Sequence, residues 1–275
     1  MAEITAASVK ALRERTGLPM MECKAALLEA GGNEEEAVRT LREKGKKTQE
    51  TRLGRETSAG RIGVYTDADK KVGAMVEFLC ESAPVATSPE TKQFATDLAK
   101  AAALNAGATS AEALLKLPAP SKPGQTLGEQ KDDMFNRIRE VFNIGRIVRF
   151  DGLCAGYVHA TGDLGSLVLY EGGDAATARD IAMHVVAANP ESASKEDLDP
   201  AAVAQEREIL TEQARKEGKP DNIIAKMIEG RMKNFYAAKV LTEQQFVKDN
   251  TKSVAEVLKG AKMKVVKFVN WKLGK

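Results

Sequence analysis

Over the first fifty residues the apolar positions recur at helical spacing, and after residue 60 they alternate as strands do. Ile4, Val9 and Leu12, followed by Arg13, Glu14 and Arg15, make one amphipathic helical stretch with Thr5 as its cap. Thr16-Gly17-Leu18-Pro19 breaks it. Helical periodicity resumes over residues 20–30 through Met21, Ala25 and Leu28, and Gly31-Gly32 stops it. Asn33 is a good N-cap for a third helix, with Glu34 to Glu36 in its first turn and Ala37, Val38 and Leu41 on one face. Residues 44–55 are charged and apolar-poor, a helical or extended linker. The pattern therefore predicts a small three-helix module set apart from the rest.

Residues 61–65 and 72–79 read as two strands around an Asp67-Ala68-Asp69-Lys70 turn, followed by an Ala-rich helix over 89–106. Residues 144–189 repeat this grammar, with strands near 144–150, 155–160 and 166–171 and a helix over 174–188. Asp97-Leu98-Ala99 echoes Asp180-Ile181-Ala182, so a diverged duplication and a chance likeness of pattern both remain open. Residues 117–124, with three prolines, are a linker by composition, and a helix over 127–142 leads into the second unit. Asn189-Pro190 closes the helix before it. Residues 200–217 and 220–238 read as two long helices joined by Gly218-Lys219, each with a proline in its first turn. The tail over 262–273 alternates as a final strand.

Composition narrows the function. The 41 basic and 39 acidic residues leave a net charge of +2, unlike the concentrated excess of a dedicated nucleic-acid binder. No apolar stretch is long enough to span a membrane, and residues 1–10 lack the apolar segment of a secretory signal. Cys23, Cys80 and Cys154 are odd in number and far apart, which fits a reducing cytoplasm. No phosphate loop, dinucleotide fingerprint, nucleophile elbow, CxxC pair or HExxH spacing occurs. His184 lies on the buried-looking face of an Ala/Val helix and reads as structural. His159, at a strand end beside Thr161-Gly162-Asp163, suits a contact role. The expectation is a binding protein with no active site, no metal and no cofactor of its own.

Four blocks carry a family resemblance: Val9-Lys10-Ala11-Leu12-Arg13-Glu14-Arg15-Thr16-Gly17 with Met20-Met21-Glu22-Cys23-Lys24-Ala25-Ala26-Leu27; Ile181-Ala182-Met183-His184-Val185 with Asn189-Pro190; Gly218-Lys219-Pro220 with Ile228-Glu229-Gly230-Arg231-Met232-Lys233-Asn234-Phe235; and Gln244-Gln245-Phe246-Val247-Lys248-Asp249. In this order they resemble the elongation factor Ts family over nearly the whole chain. The resemblance implies an α+β protein: a three-helix module of the ubiquitin-associated type (1–54), then a core of two related α+β subdomains with antiparallel sheets (55–143 and 144–275), the second carrying a helical hairpin near 195–240. It implies a cytoplasmic guanine-nucleotide exchange factor of translation whose partner is the GTPase elongation factor Tu, with no direct nucleic-acid or membrane contact. A homodimer and a 2:2 complex with the partner both stay open. By position, Leu12, Met20 and Met21 would touch the GTPase domain, or form the module core, and Ile138 and His159 the distal contact. Two adjacent methionines cannot both point inward from one helix, so at least one is left to a soft interface.

The chain departs from the family at the wedge. After Cys80 the family has a polar residue and then Thr-Asp-Phe-Val, whose Asp-Phe pair loosens the partner's magnesium. Here Glu81-Ser82-Ala83-Pro84-Val85 stands instead, so the resemblance transfers the wedge's place and not its chemistry. A non-exchanging, chaperone-like partner protein is the alternative this departure supports. Some relatives also continue past the last strand, and this chain is expected to lack the contacts of that extension.

Overall fold

The computed structural model describes residues 4–52, 54–217 and 220–274. The chain forms two compact units, one built from residues up to Gly63 together with Val76–Val148, the other from Val64–Met75 and Arg149–Leu273.

The first unit opens with α1 (Ala6–Thr16), α2 (Met20–Glu29) and α3 (Glu34–Glu50). The signals read from the sequence start and stop these helices. Thr5 Oγ1 accepts from the Ser8 amide at 3.2 Å, and Asn33 Oδ1 accepts from the Glu36 amide at 3.2 Å. Gly17 adopts a left-handed φ of 68° and its amide closes α1 on the Arg13 carbonyl at 2.7 Å. Val9, Leu12, Leu18, Cys23, Ala26, Leu27, Ala37 and Leu41, from the three helices and the α1–α2 turn, form one buried apolar cluster. Residues 44–55 resolve toward the helical option, because α3 runs on to Glu50.

After the module come β1 (Ala59–Asp67), β2 (Val72–Cys80), α4 (Ala83–Thr87), α5 (Pro89–Leu104), α6 (Ala111–Leu115), α7 (Leu127–Ile138) and β3 (Asn143–Asp151). β1, β2 and β3 form a sheet in that order. Phe78 on β2 meets Phe94 of α5 edge-on at 4.9 Å and stacks on Phe142 at 5.4 Å. The helix expected over 127–142 stops four residues early. Arg139 turns left-handed (φ 64°), its amide caps Phe135 at 2.7 Å, and the turn delivers Phe142 to the aromatic core. Core burial of that ring outweighs the helical periodicity that continued through it.

The second unit holds β4 (Leu153–Val158), β5 (Leu164–Gly172), α8 (Ala175–Ala188), α9 (Pro200–Lys216), α10 (Asp221–Lys239), β6 (Gln245–Phe246), β7 (Asp249–Ser253), α11 (Val254–Gly260) and β8 (Met263–Lys272). β4, β5 and β8 pair antiparallel in that order. α8 packs on the sheet, tied by a 2.7 Å bond from Ser166 Oγ to the Ala182 carbonyl. α9 and α10 form the expected hairpin around Leu210, Ala214, Ile224, Ile228 and Met232. Its Gly218-Lys219 joint lies outside the described residues. The α+β class, the three-helix module, the small antiparallel sheets and the hairpin agree with the expectation. The short elements α4, α6, α11, β6 and β7 were not anticipated.

His184 is a structural residue. It is wholly buried, Nε2 bonds Gln244 Oε1 at 3.0 Å, and Nδ1 accepts from the Val247 amide at 3.1 Å. The amide donor fixes Nδ1 as the acceptor, so the neutral ring carries its proton on Nε2. Burial holds its pKa below the ordinary histidine value. The unfolded chain therefore protonates first, and the stability this residue contributes, present above about pH 6.5, is lost as pH falls below it. Replacing His184 by Phe should cost about 2 kcal/mol at pH 7.5 by leaving Gln244 Oε1 and the Val247 amide unpaired. It should also flatten the loss of stability between pH 7 and 5, as urea denaturation at several pH values would register.

Candidate partner-binding surface

β2 delivers the chain to an exposed tip. Ser82 N-caps α4, Ala83 and Pro84 are exposed, Val85 is half-buried, and Ala86 anchors the short helix in the core. Proline in the first turn is what allows so short a helix here, since its fixed φ already suits helix and its missing N–H would have no partner.

The root of the tip is clamped by two carboxylates. The Val141 amide donates to Glu81 Oε1 at 2.7 Å, and Arg55 Nη1 donates to Glu81 Oε2 at 3.2 Å. The Val141 N–H first, and Arg55 after it, hold the Glu81 carboxyl below the usual carboxylate range. Reciprocally, Ser82 donates its amide (3.1 Å) and its hydroxyl (2.5 Å) to the Glu140 carboxylate. The Cys80 thiol, its pKa pushed up to about 11 by burial and then by Glu140, donates a hydrogen bond to the Ser82 carbonyl at 3.4 Å. Glu81, the one charge the sequence offered in place of the family's carboxylate, is thus spent inside the molecule. The outward face of the tip is Ala83 and Pro84.

The turn that supplies Glu140 and Val141 also reaches the three-helix module. Arg139 Nη2 bonds Glu22 Oε2 of α2 at 2.6 Å, and the Arg139 carbonyl accepts from Arg52 Nη1 at 2.5 Å. A Cβ built on Gly45 of α3 would stand 1.8 Å from Asn136 Oδ1, so only glycine permits this approach of α3 to α7. Residues 139–141 therefore connect α2 to the tip through consecutive short contacts. Sequence reasoning missed Arg139 and Glu140. Glu140 and Ser82 lie 58 positions apart, and no local pattern marks such a pair.

On the module, Met20 and Met21 both face outward, 41% and 72% exposed, with Leu28 at 60%. Met21, Ala25 and Leu28 follow one helix face, making a solvent-facing apolar stripe. Leu28, seven residues from Met21, was legible as part of that stripe but was not singled out. Leu12 is completely buried in the module core, so it shapes this surface from beneath and offers no side chain to a partner. Ile138, half-buried, ends α7 in the first unit. His159 belongs to the second unit, in the tight turn between β4 and β5. There Nδ1 shares a 2.7 Å bond with Thr161 Oγ1, and the Gly162 amide donates to the His159 carbonyl at 2.9 Å.

Among the described residues no His, Cys, Asp and Glu side chains gather in threes as metal ligands do, and no helix is long and apolar enough to cross a membrane. Burial raises the pKa of Cys154, as of Cys80, to about 11, which leaves both as unreactive thiols at neutral pH.

Comparison with known proteins gives a consistent result. The family profile described as Elongation factor TS matches residues 84–275. The elongation factor Ts of Hydrogenovibrio crunogenus is 40% identical over 273 residues, 98% of this chain and 92% of that protein. That of Methylococcus capsulatus is 40% identical over 274 residues, at the same coverage of each. That of Hyphomonas neptunium is 41% identical over 287 residues, covering 100% of this chain and 93% of its own.

Proposed function

The chain belongs to the elongation factor Ts family, a family of translation elongation factors, and on that premise we propose that it is a guanine-nucleotide exchange factor acting on elongation factor Tu in the cytoplasm. The observation that carries this reading is the tip: an exposed Ala83-Pro84 apex on a root clamped by Glu81 and Glu140, held to a module with an outward methionine stripe. A protruding apex fixed at both sides of its base can press on a partner without yielding.

Exchange is a linkage effect. A factor that binds the emptied GTPase more tightly than the GDP-bound form weakens GDP binding by the same ratio. Moving the partner from almost fully loaded to almost fully open takes a differential affinity of about 10⁴, or about 5.5 kcal/mol. Met20, Met21 and Leu28 supply grip on the GTPase domain, and the tip supplies the difference between the two states. With no carboxylate or aromatic ring on its face, the tip acts by shape, displacing the partner's backbone near its magnesium and phosphates. Ile138 and His159 brace a distal domain. No covalent bond changes, so the protein is not an enzyme in the chemical sense.

The decisive measurement is stopped-flow release of fluorescent GDP from elongation factor Tu. Substoichiometric amounts of this protein should accelerate release at least a hundredfold. The committed Glu81 carboxylate favours one competing reading, a partner that binds elongation factor Tu without exchange. Tight binding with an unaccelerated release trace would establish that alternative.

A further inference from the structure

Arg139 stands where the chain leaves α7, in a left-handed turn with φ 64°. Glycine adopts that conformation freely, whereas a residue with a Cβ holds it at a cost and only where its surroundings fix it. Three contacts fix it here. Its amide closes α7 on the Phe135 carbonyl at 2.7 Å, its carbonyl accepts from Arg52 Nη1 at 2.5 Å, and its guanidinium bonds Glu22 Oε2 at 2.6 Å. The first two use the backbone and would survive in glycine. Only the third needs the side chain.

That third contact joins the two surfaces already described. Glu22 follows Met20 and Met21 in the first turn of α2, so it rides on the helix that carries the outward apolar stripe. Arg42 with Asp133 at 3.9 Å, and Gly45 against Asn136, hold α3 to α7, whereas the Arg139 pair reaches α2 itself. A crevice of about 270 Å³ lined by Glu22, Ala25, Gly45, Asn136 and Arg139 lies between these helices, so the ion pair spans a place that close packing does not fill. On the far side of Arg139, Glu140 accepts from the Ser82 amide and hydroxyl, and the Val141 amide donates to Glu81.

We infer that Arg139 is a positioning residue for exchange: its ion pair with Glu22 locks the helix that grips the partner to the turn that braces the tip. The inference rests on the exchange reading and deepens it. A partner seated on Met20, Met21 and Leu28 loads α2, and the pair passes that load to residues 140 and 141 and so to the apex. Without the pair the grip still forms, but the apex recoils from the partner. Both side chains reach solvent, and pairs of that kind contribute little to folding. Breaking this one therefore leaves the fold intact and registers at the tip.

The tie is tested first in the full chain alone. Glu22→Ala should leave the melting temperature unchanged and make the Ser82 and Val141 amides exchange with deuterium about fivefold faster, the factor an accessible pair can supply. With elongation factor Tu present, Arg139→Gly should slow catalysed GDP release about fivefold while changing the affinity for the nucleotide-free partner less than about twofold. Its melting temperature should match the parent's, the relief of the turn offsetting the lost pair. Arg139→Lys, which keeps the cation, should recover most of the rate. A residue that only shaped the turn would give the opposite order, glycine ahead of lysine. In the double variant, Glu22→Ala with Arg139→Gly, the loss of release rate should equal that of Arg139→Gly alone. Parent-like release from Arg139→Gly, unaltered amides in Glu22→Ala, or losses that add in the double variant would each overturn the proposal. The amide measurement needs no partner, so a parent chain that fails to speed GDP release sinks the exchange reading while those amides still decide the tie.

Discussion

Replacing Ser82, Ala83, Pro84 and Val85 by glycine is expected to slow catalysed GDP release about thirtyfold while changing the affinity for nucleotide-free elongation factor Tu less than threefold. The stiffness of the apex comes from Pro84 in the first turn of α4 and from the Ser82 amide and hydroxyl on Glu140. Four glycines keep the Ser82 amide bond but remove the hydroxyl bond and the fixed φ, and each adds backbone freedom opposing α4. A soft apex still touches the partner but bends instead of displacing it. The differential affinity falls and the uniform affinity does not, a separation that the linkage argument requires. Thirtyfold corresponds to about 2 kcal/mol, a fraction of the roughly 5.5 kcal/mol that the full shift demands. Glu140→Gln makes the same point with the tip sequence untouched. It exchanges a charged acceptor for a neutral one at the Ser82 clamp, worth about 1 kcal/mol and so about fivefold in release rate. Equal losses of binding and release in both variants would reduce the tip to an ordinary contact surface.

That clamp also marks where sequence reasoning ran out. Features fixed by a few adjacent residues were legible: the Thr5 and Asn33 caps, the Gly17 stop, the first-turn proline of α9, and the alternation of β8, whereas Pro220 stands one place earlier than expected, as the N-cap of α10. The helix over 127–142 was drawn too long because periodicity carries no sign of a left-handed Arg139, which is held by Glu22 and Arg52 from distant parts of the chain. α11 is a different kind of omission. Its Ser253–Glu256 capping box is a local signal, with Ser253 Oγ accepting from the Glu256 amide at 3.2 Å and Glu256 Oε2 accepting from the Ser253 amide at 2.7 Å. It was overlooked beside the stronger strand pattern that follows. At the candidate surface, the argument that two adjacent methionines cannot both be buried agrees with the exposure of Met20 and Met21. Which of Leu12 and Met21 lies inside depends on how three helices pack, and helical spacing alone leaves that undecided.

The burial of Leu12 and the exposure of Met21 make opposite forecasts for two variants of the same module. Met21→Asp is expected to weaken binding to elongation factor Tu about a hundredfold, or about 2.8 kcal/mol, with the melting temperature unchanged. The side chain is 72% exposed in the isolated chain, so a carboxylate there costs the fold almost nothing. In the complex it would be dehydrated against an apolar surface with no partner, a cost of several kcal/mol partly relieved by local adjustment. Leu28→Asp, on the same stripe, should follow the same course with a smaller loss. Leu12→Ala should behave the other way round. It opens a cavity in the module core and costs about 3 kcal/mol of module stability, while removing no atom a partner would touch. Its binding should recover toward the parent value as temperature is lowered and the module refolds. Calorimetry at 10 °C and 30 °C distinguishes the two, since only the Leu12 variant should show a strongly temperature-dependent deficit. If Met21→Asp binds as the parent does, the methionine stripe is not the grip, and the module must engage the GTPase through another face.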